Sequence, residues 1–256
     1  MGRVLAVANQ KGGVGKTTTA VNLSAGLALA GHRTLIIDLD PQSSATSGLG
    51  LHPREIAESI YHVVIDQRTA EQAVRETKIE GLSILPASRD LIGAEIELVP
   101  LPRREYRLAE ALLEIRRAYE FVIIDCPPSL GLLTVNALTA ADAVLIPLQC
   151  EYYALEGLSA LLDTIGFIRQ TLNPRLEIQG LLLTMFDGRN SLSHQVVTEV
   201  RQHFPDQVFK SVIPRNVRLS ECPSYGTPAL VYDRRSRGAQ AYASLTEELV
   251  QNSVRS

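Results

Sequence analysis

Lys11-Gly12-Gly13-Val14-Gly15-Lys16-Thr17-Thr18 is the most informative stretch of this 256-residue chain. It follows the apolar run Val4 to Ala8 and precedes Thr19 to Ala30, which reads as a helix. A strand that ends in a glycine-rich turn and opens a helix is the geometry of a phosphate cradle. Glycines at 12, 13 and 15 let backbone N–H groups converge on phosphate oxygens, and the helix N-terminus adds partial positive charge. Lys16 would meet the β- and γ-phosphates, and the Thr17 hydroxyl would ligate Mg²⁺. The usual pattern G-x-x-x-x-G-K-[ST] asks for glycine at position 10, where this chain has Gln10, and a lysine stands at position 11.

Around this motif the composition is ordinary for a globular protein, with 45% hydrophobic and 21% charged residues and no low-complexity tract. The length suits one doubly wound domain over residues 1–256. No apolar run approaches membrane-spanning length, the N-terminus lacks a secretory apolar segment, and the three cysteines are odd in number and widely spaced. A reducing cytoplasm is the expected compartment. The net charge of −3 excludes a globally basic nucleic-acid binder. The charge is uneven, however: Lys210, Arg215, Arg218, Arg234, Arg235 and Arg237 face only Glu221 and Asp233 between positions 210 and 237. Such a local basic face suits a phosphate backbone, or is simply a solvated surface.

Two further apolar runs end in carboxylates. Arg33 to Leu39 reads as a buried strand leading into Asp38-Leu39-Asp40-Pro41-Gln42, and Phe121-Val122-Ile123-Ile124-Asp125 has the Walker B pattern. Open α/β sheets bind ligands at the C-terminal ends of their strands. Asp125 is therefore placed to hold a water of the Mg²⁺ shell. Asp40 is the candidate for orienting the attacking water, and Asp38 for the metal's hydration shell or for ordering the loop. An N-cap role for Asp40 is the alternative. Ser43 to Gly50, small and polar, reads as a mobile switch loop, and Ser129 onwards as a second switch. Additional strands are expected at Leu82–Pro86, Ala143–Leu148, Ile178–Phe186 and Val208–Ile213, and helices at Ser59–Ile65, Thr69–Glu76, Leu91–Leu98, Glu105–Tyr119, Leu133–Ala141, Leu155–Leu172, Ser191–Phe204 and Gly238–Ser256.

K-G-G-x-G-K-[ST] resembles the deviant Walker A box of the MinD/ParA group of P-loop ATPases, and the D-x-D-P-Q segment resembles the switch I box of ParA proteins. With Pro214-Arg215-Asn216-Val217-Arg218-Leu219-Ser220-Glu221, the likeness spans essentially the whole chain and points to the ParA/Soj chromosome- or plasmid-partitioning ATPases. The resemblance implies an α/β P-loop fold, with a mainly parallel twisted sheet of about seven strands and helices on both faces. It implies that ATP and Mg²⁺ close a sandwich homodimer, that Lys11 reaches the partner's nucleotide, and that Glu151, in Gln149-Cys150-Glu151-Tyr152-Tyr153, touches its ribose. By the same resemblance Pro214 and Asn216 lie near adenine, and Arg189 and Arg218 bind double-stranded DNA without sequence preference. A ParB/Spo0J-type partner would stimulate hydrolysis and release a nucleoid-associated dimer. A MinD-like positioning ATPase is the rival, but the tail from Gly238 is not basic and amphipathic enough for a membrane anchor. Iron–sulfur carriers would need paired cysteines, and Cys126, Cys150 and Cys222 form no C-x-x-C pair.

Overall fold

A computed structural model describes residues 2–151 and 154–255, without the side chains of 154–156, 254 and 255; Met1, Tyr152, Tyr153 and Ser256 lie outside the described residues. Seven strands form one sheet: β1 Arg3–Val7, β2 Thr34–Asp38, β3 Arg75–Glu76, β4 Leu82–Leu85, β5 Phe121–Asp125, β6 Ala143–Gln149 and β7 Glu177–Thr184. Their order is β3-β4-β2-β5-β1-β6-β7, parallel except for the β3–β4 pair. Strands covered on both faces need apolar residues at every position. Alternate residues of β1 accordingly enter opposite layers, Val4 and Ala6 one, Leu5 and Val7 the other.

The helices Lys16–Leu29 (α1) and Arg237–Arg255 fill the layer that receives Leu5 and Val7, while Arg107–Ile115 and Leu132–Ala140 pack in the other. The closing helix is fastened to α1 at two points. The hydroxyls of Tyr242 and Thr19 share a buried hydrogen bond of 3.1 Å, and a side chain on Gly26 would run into the Thr246 hydroxyl. Leaving either buried hydroxyl without its partner costs about 1–3 kcal/mol. No helix among the described residues is long and apolar enough to cross a membrane.

The strand count matches expectation, but the membership differs. Val208–Ile213 does not become a strand. Its backbone pairs with Leu181 around Phe209 and with Leu183 only at Ile213, so the excess residues between these contacts bulge out of the ladder. The seventh strand is β3, within the expected helix Thr69–Glu76; that helix stops at Ala73, and Arg75 and Glu76 turn back antiparallel to β4. The expected mobile loop Ser43–Gly50 is also corrected: Ser44–Gly48 is a short helix, α2, entered through Ser43 at φ +54°. The Asp38 carboxylate docks it, accepting from the Thr46 amide and hydroxyl, both at 2.7 Å.

Candidate nucleotide site

In register, Val7 and Asp38 both lie beside Asp125, so β1, β2 and β5 bring their C-terminal ends to one level. The loop leaving β1 turns through Gly13 at φ +74° and Gly15 at φ +88°, and Gly15 is the N-cap of α1 with no side chain closing the cap. The first amides of α1 thus remain available to an anion. Two residues that sequence reasoning passed over hold the loop. Asn9, 4% exposed, donates to the Pro147 carbonyl at 2.7 Å and accepts from the Lys11 amide at 3.0 Å, while the Thr184 hydroxyl donates to the Val14 carbonyl at 2.8 Å. The signal for Asn9 was a polar residue ending an apolar strand; Thr184 carried none.

Lys16 is 6% exposed, and its Nζ donates to the Lys11 carbonyl at 3.1 Å. Burial lowers its pKa, opposed chiefly by Asp125. Asp125 and Asp38 are fully buried. Burial, then the Asp38 charge, raise the Asp125 pKa well above the usual aspartate value, with the Thr17 hydroxyl and Lys16 pulling the other way. Among the described residues neither Asp125 oxygen makes a hydrogen bond of ordinary geometry, so the Thr17 hydroxyl acts on it only from a looser position. Asp38 is pushed up to about 6 by burial, against the hydrogen bonds from Thr46. Asp40, 8% exposed, accepts from the Gln42 amide on Oδ1 at 2.9 Å, so its local role is a turn and not a helix cap. Cys126 is buried, and burial raises its thiol pKa, as fits a packing residue.

Lys11 and Glu151 meet at the rim. The Lys11 Nζ lies 3.4 Å from Glu151 Oε2, Gln149 donates to Oε1 at 2.6 Å, and Arg215 stands 3.9 Å from the same oxygen. Beside the cradle is a cavity of about 450 Å³ bounded by Gly15, Thr18, Thr184, Pro214 and Asn216. The Asn216 side chain caps the helix Val217–Glu221, accepting from the Arg218 amide at 2.9 Å.

Arg189 and Arg218 are each held in ion pairs of their own. Arg189 is clamped by Asp187 through two bonds of 3.1 Å, which hold the Asp187 carboxyl down at about 2. Arg218 lies 2.8 Å from Glu221 and 3.4 Å from Asp233. Arg234 and Arg235 are exposed, with no carboxylate at ion-pair distance among the described residues.

Residues 2–178 match the family model described as an AAA domain. The sporulation initiation inhibitor protein Soj of Bacillus subtilis is 54% identical over 252 residues, covering 98% of this chain and 100% of that protein. The chain belongs to the ParA/Soj family. The chromosome partitioning protein ParA of Myxococcus xanthus is 55% identical over 98% of this chain and 88% of its own length. A solved structure of cobyrinic acid a,c-diamide synthase from Mycobacterium smegmatis, with bound ADP and magnesium, superposes with a TM-score of 0.88 at 39% identity, covering 99% of this chain and 96% of that one. The ParA/Soj proteins are P-loop ATPases, which accords with the cradle at the end of β1.

Proposed function

We propose that the chain is an Mg²⁺-dependent ATPase of DNA partitioning whose ATP-bound sandwich homodimer holds double-stranded DNA of any sequence. In this reading, hydrolysis stimulated by a ParB/Spo0J-type partner releases the dimer, which works in the cytoplasm on the nucleoid. The observation that carries the nucleotide half is the juxtaposition of open α1 amides, buried Lys16 and the unpartnered Asp125 oxygens at one level of the sheet.

The residues from Lys11 to Thr18, with Gly12, Gly13, Val14 and Gly15 between the lysines, wrap the phosphates, and Lys16 balances their charge. Pro214 and Asn216 line the cavity assigned to adenine. Thr17 and Asp125 suit a magnesium site: a hydroxyl and a buried carboxylate in need of a donor. Magnesium keeps several waters and takes phosphate oxygens, so no all-protein cage is required; bound, it offsets charge on the β- and γ-phosphates. Asp40 orients the attacking water. Lys11, more than one-third exposed, has a screened surface pair with Glu151 to give up before crossing to a partner's phosphates. Glu151 then meets the ribose.

The DNA half assigns Arg189 and Arg218 to phosphate, helped by Arg234 and Arg235. Arginine grips phosphate through a planar fork without reading bases. Joining two weak faces in one dimer supplies avidity that a single chain lacks. The test is binding to a random-sequence duplex with ATP, ADP or no nucleotide across a salt series, beside Arg218→Glu. Binding that requires ATP, weakens steeply with salt and is lost in the variant supports the reading. No binding with any nucleotide overturns it.

A further inference from the structure

Asp38 and Asp125 are neighbours in register, yet their carboxylates are used differently. Asp125 makes no hydrogen bond of ordinary geometry on either oxygen among the described residues, with the Thr17 hydroxyl nearby. Asp38 has its bonds already made: Oδ2 accepts the Thr46 amide and hydroxyl at 2.7 Å each, and Oδ1 accepts the Asp40 amide at 3.3 Å. The Thr46 oxygen in turn accepts from the amide of Ala87, just past β4, at 3.0 Å. One fully buried hydroxyl therefore ties together the tips of β2 and β4 and the middle of α2.

We propose that Thr46 and Asp38 form a latch that positions Asp40, with the Thr46 hydroxyl as its pin and Asp125, not Asp38, as the carboxylate that serves the metal's water shell. The proposal rests on the ATPase reading above. Asp40 lies on the path between β2 and α2, within the span that the latch closes. Its amide is held by Asp38, its carbonyl accepts from Ser43 at 2.8 Å and its Oδ1 from Gln42 at 2.9 Å, while Oδ2 carries no hydrogen bond among the described residues. The segment is also stopped at its far end. Gly50, at φ +81°, abuts Gly226, where an added Cβ would fall 2.5 Å from the Gly50 Cα. With both ends fixed, the bond at the middle of α2 is the one whose loss lets Asp40 drift. A misplacement of about 1 Å in a group that orients a nucleophile costs on the order of 100-fold in rate.

Thr46→Val keeps the shape and deletes the hydroxyl; Thr46→Ser restores the hydroxyl. In steady-state hydrolysis, Thr46→Val is expected to lower kcat by about 10- to 100-fold with ATP affinity and the Mg²⁺ concentration for half-maximal rate held near those of the parent chain, and Thr46→Ser to recover most of the loss. A fully active Val variant, a Ser variant as impaired as Val, or equal losses in kcat and ATP affinity would overturn the latch. Amide hydrogen exchange on the unaltered chain gives a reading that needs neither turnover nor a folded variant. The Thr46 and Ala87 amides should exchange as slowly as those of β2, and exchange at the rate of exposed loops contradicts the proposal. An unaltered chain that hydrolyses no ATP would count against the functional reading alone, leaving exchange to judge the latch.

Discussion

The strand-end site and the arginine face use charge in opposite ways. At the centre, Lys16, Asp38 and Asp125 are at least nine-tenths buried, Asp38 and Asp125 set side by side by strand register and Asp38 held by short hydrogen bonds. Outside it, the Arg189 side chain is 91% exposed and that of Arg218 51%; Arg189 pairs with nearby Asp187, and Arg218 with nearby Glu221 and with Asp233 beyond the helix Ala229–Tyr232. Burial makes the first set costly and therefore committed; exposure makes the second cheap and exchangeable. A motif can specify a committed site because its backbone does the arranging. Exposed ion pairs keep their alternatives, so an arginine's partner changes with what approaches.

If the centre is committed, the largest effect should follow from removing its one buried cation. Lys16→Ala is expected to weaken ATP binding by about 100-fold or more, because the phosphates and two buried carboxyls would then lose the protein's own buried counter-charge. Equilibrium binding of a fluorescent ATP analogue measures it. ATP-dependent dimerisation surviving this substitution would show that the cradle's amides suffice and that the lysine resembles the exchangeable arginines. Asp40→Ala comes next: dimer retained on a sizing column, hydrolysis down by about 100-fold. Undiminished turnover would remove Asp40 from the reaction.

A smaller effect tests the cost of commitment itself. Asp125 is a fully buried carboxyl whose oxygens make no hydrogen bond of ordinary geometry among the described residues, so Asp125→Asn should raise stability by about 1–3 kcal/mol at neutral pH while impairing Mg²⁺-dependent hydrolysis. The sign follows from the raised pKa. The native carboxyl binds a proton more readily than the unfolded one, so its stability penalty is present at neutral pH and is relieved as pH falls through the native pKa. Asp38, pushed up to about 6, adds a parallel loss as pH rises from the ordinary aspartate value through that range. Thermal melts of both proteins from about pH 7.5 to about pH 5 should therefore converge as the medium becomes acidic. A variant less stable than the parent throughout would mean that the pull of Lys16 outweighs desolvation.

The same contrast explains what the chain disclosed before any coordinates. Uninterrupted apolar runs ending in Asp38 and Asp125 located two strands and the level of the site, because strands buried on both faces carry that composition. Val208–Ile213 looked equally apolar, but whether it joined the sheet depended on the spacing of its contacts along β7, which no local pattern records. The polarity of Ser43–Gly50 reads as a loop until the Thr46 hydroxyl is seen to meet Asp38; the hydrophilic residue is buried by a partner eight positions away. Thr184 was missed for the same reason, since its bond to Val14 spans 170 residues. Arg189 and Arg218 are named through family resemblance alone; from the residues themselves, pairing with nearby Asp187 and Glu221 is the better expectation, and those are the pairs the structure shows.

The smallest expected effect bears most directly on the face. Asp187→Asn together with Glu221→Gln removes the two carboxylates nearest Arg189 and Arg218 while leaving side chains of the same size. The amide oxygen introduced by Asp187→Asn can still accept from the Arg189 backbone N–H, so the turn that Asp187 makes at 3.1 Å survives, and what changes is the charge. If these arginines exchange carboxylate for DNA phosphate, each pair now opposes binding by the small free energy of a surface ion pair. Affinity of the ATP-bound form for a random duplex should then rise about 3- to 10-fold, with a smaller gain at high salt, where both kinds of pair are screened. Arg218 keeps Asp233 at 3.4 Å, so the gain should come more from the Arg189 side. Unchanged or weaker binding would make the clamps structural and move the phosphate contacts to Arg234 and Arg235, where Arg234→Ala with Arg235→Ala should then produce the greater loss.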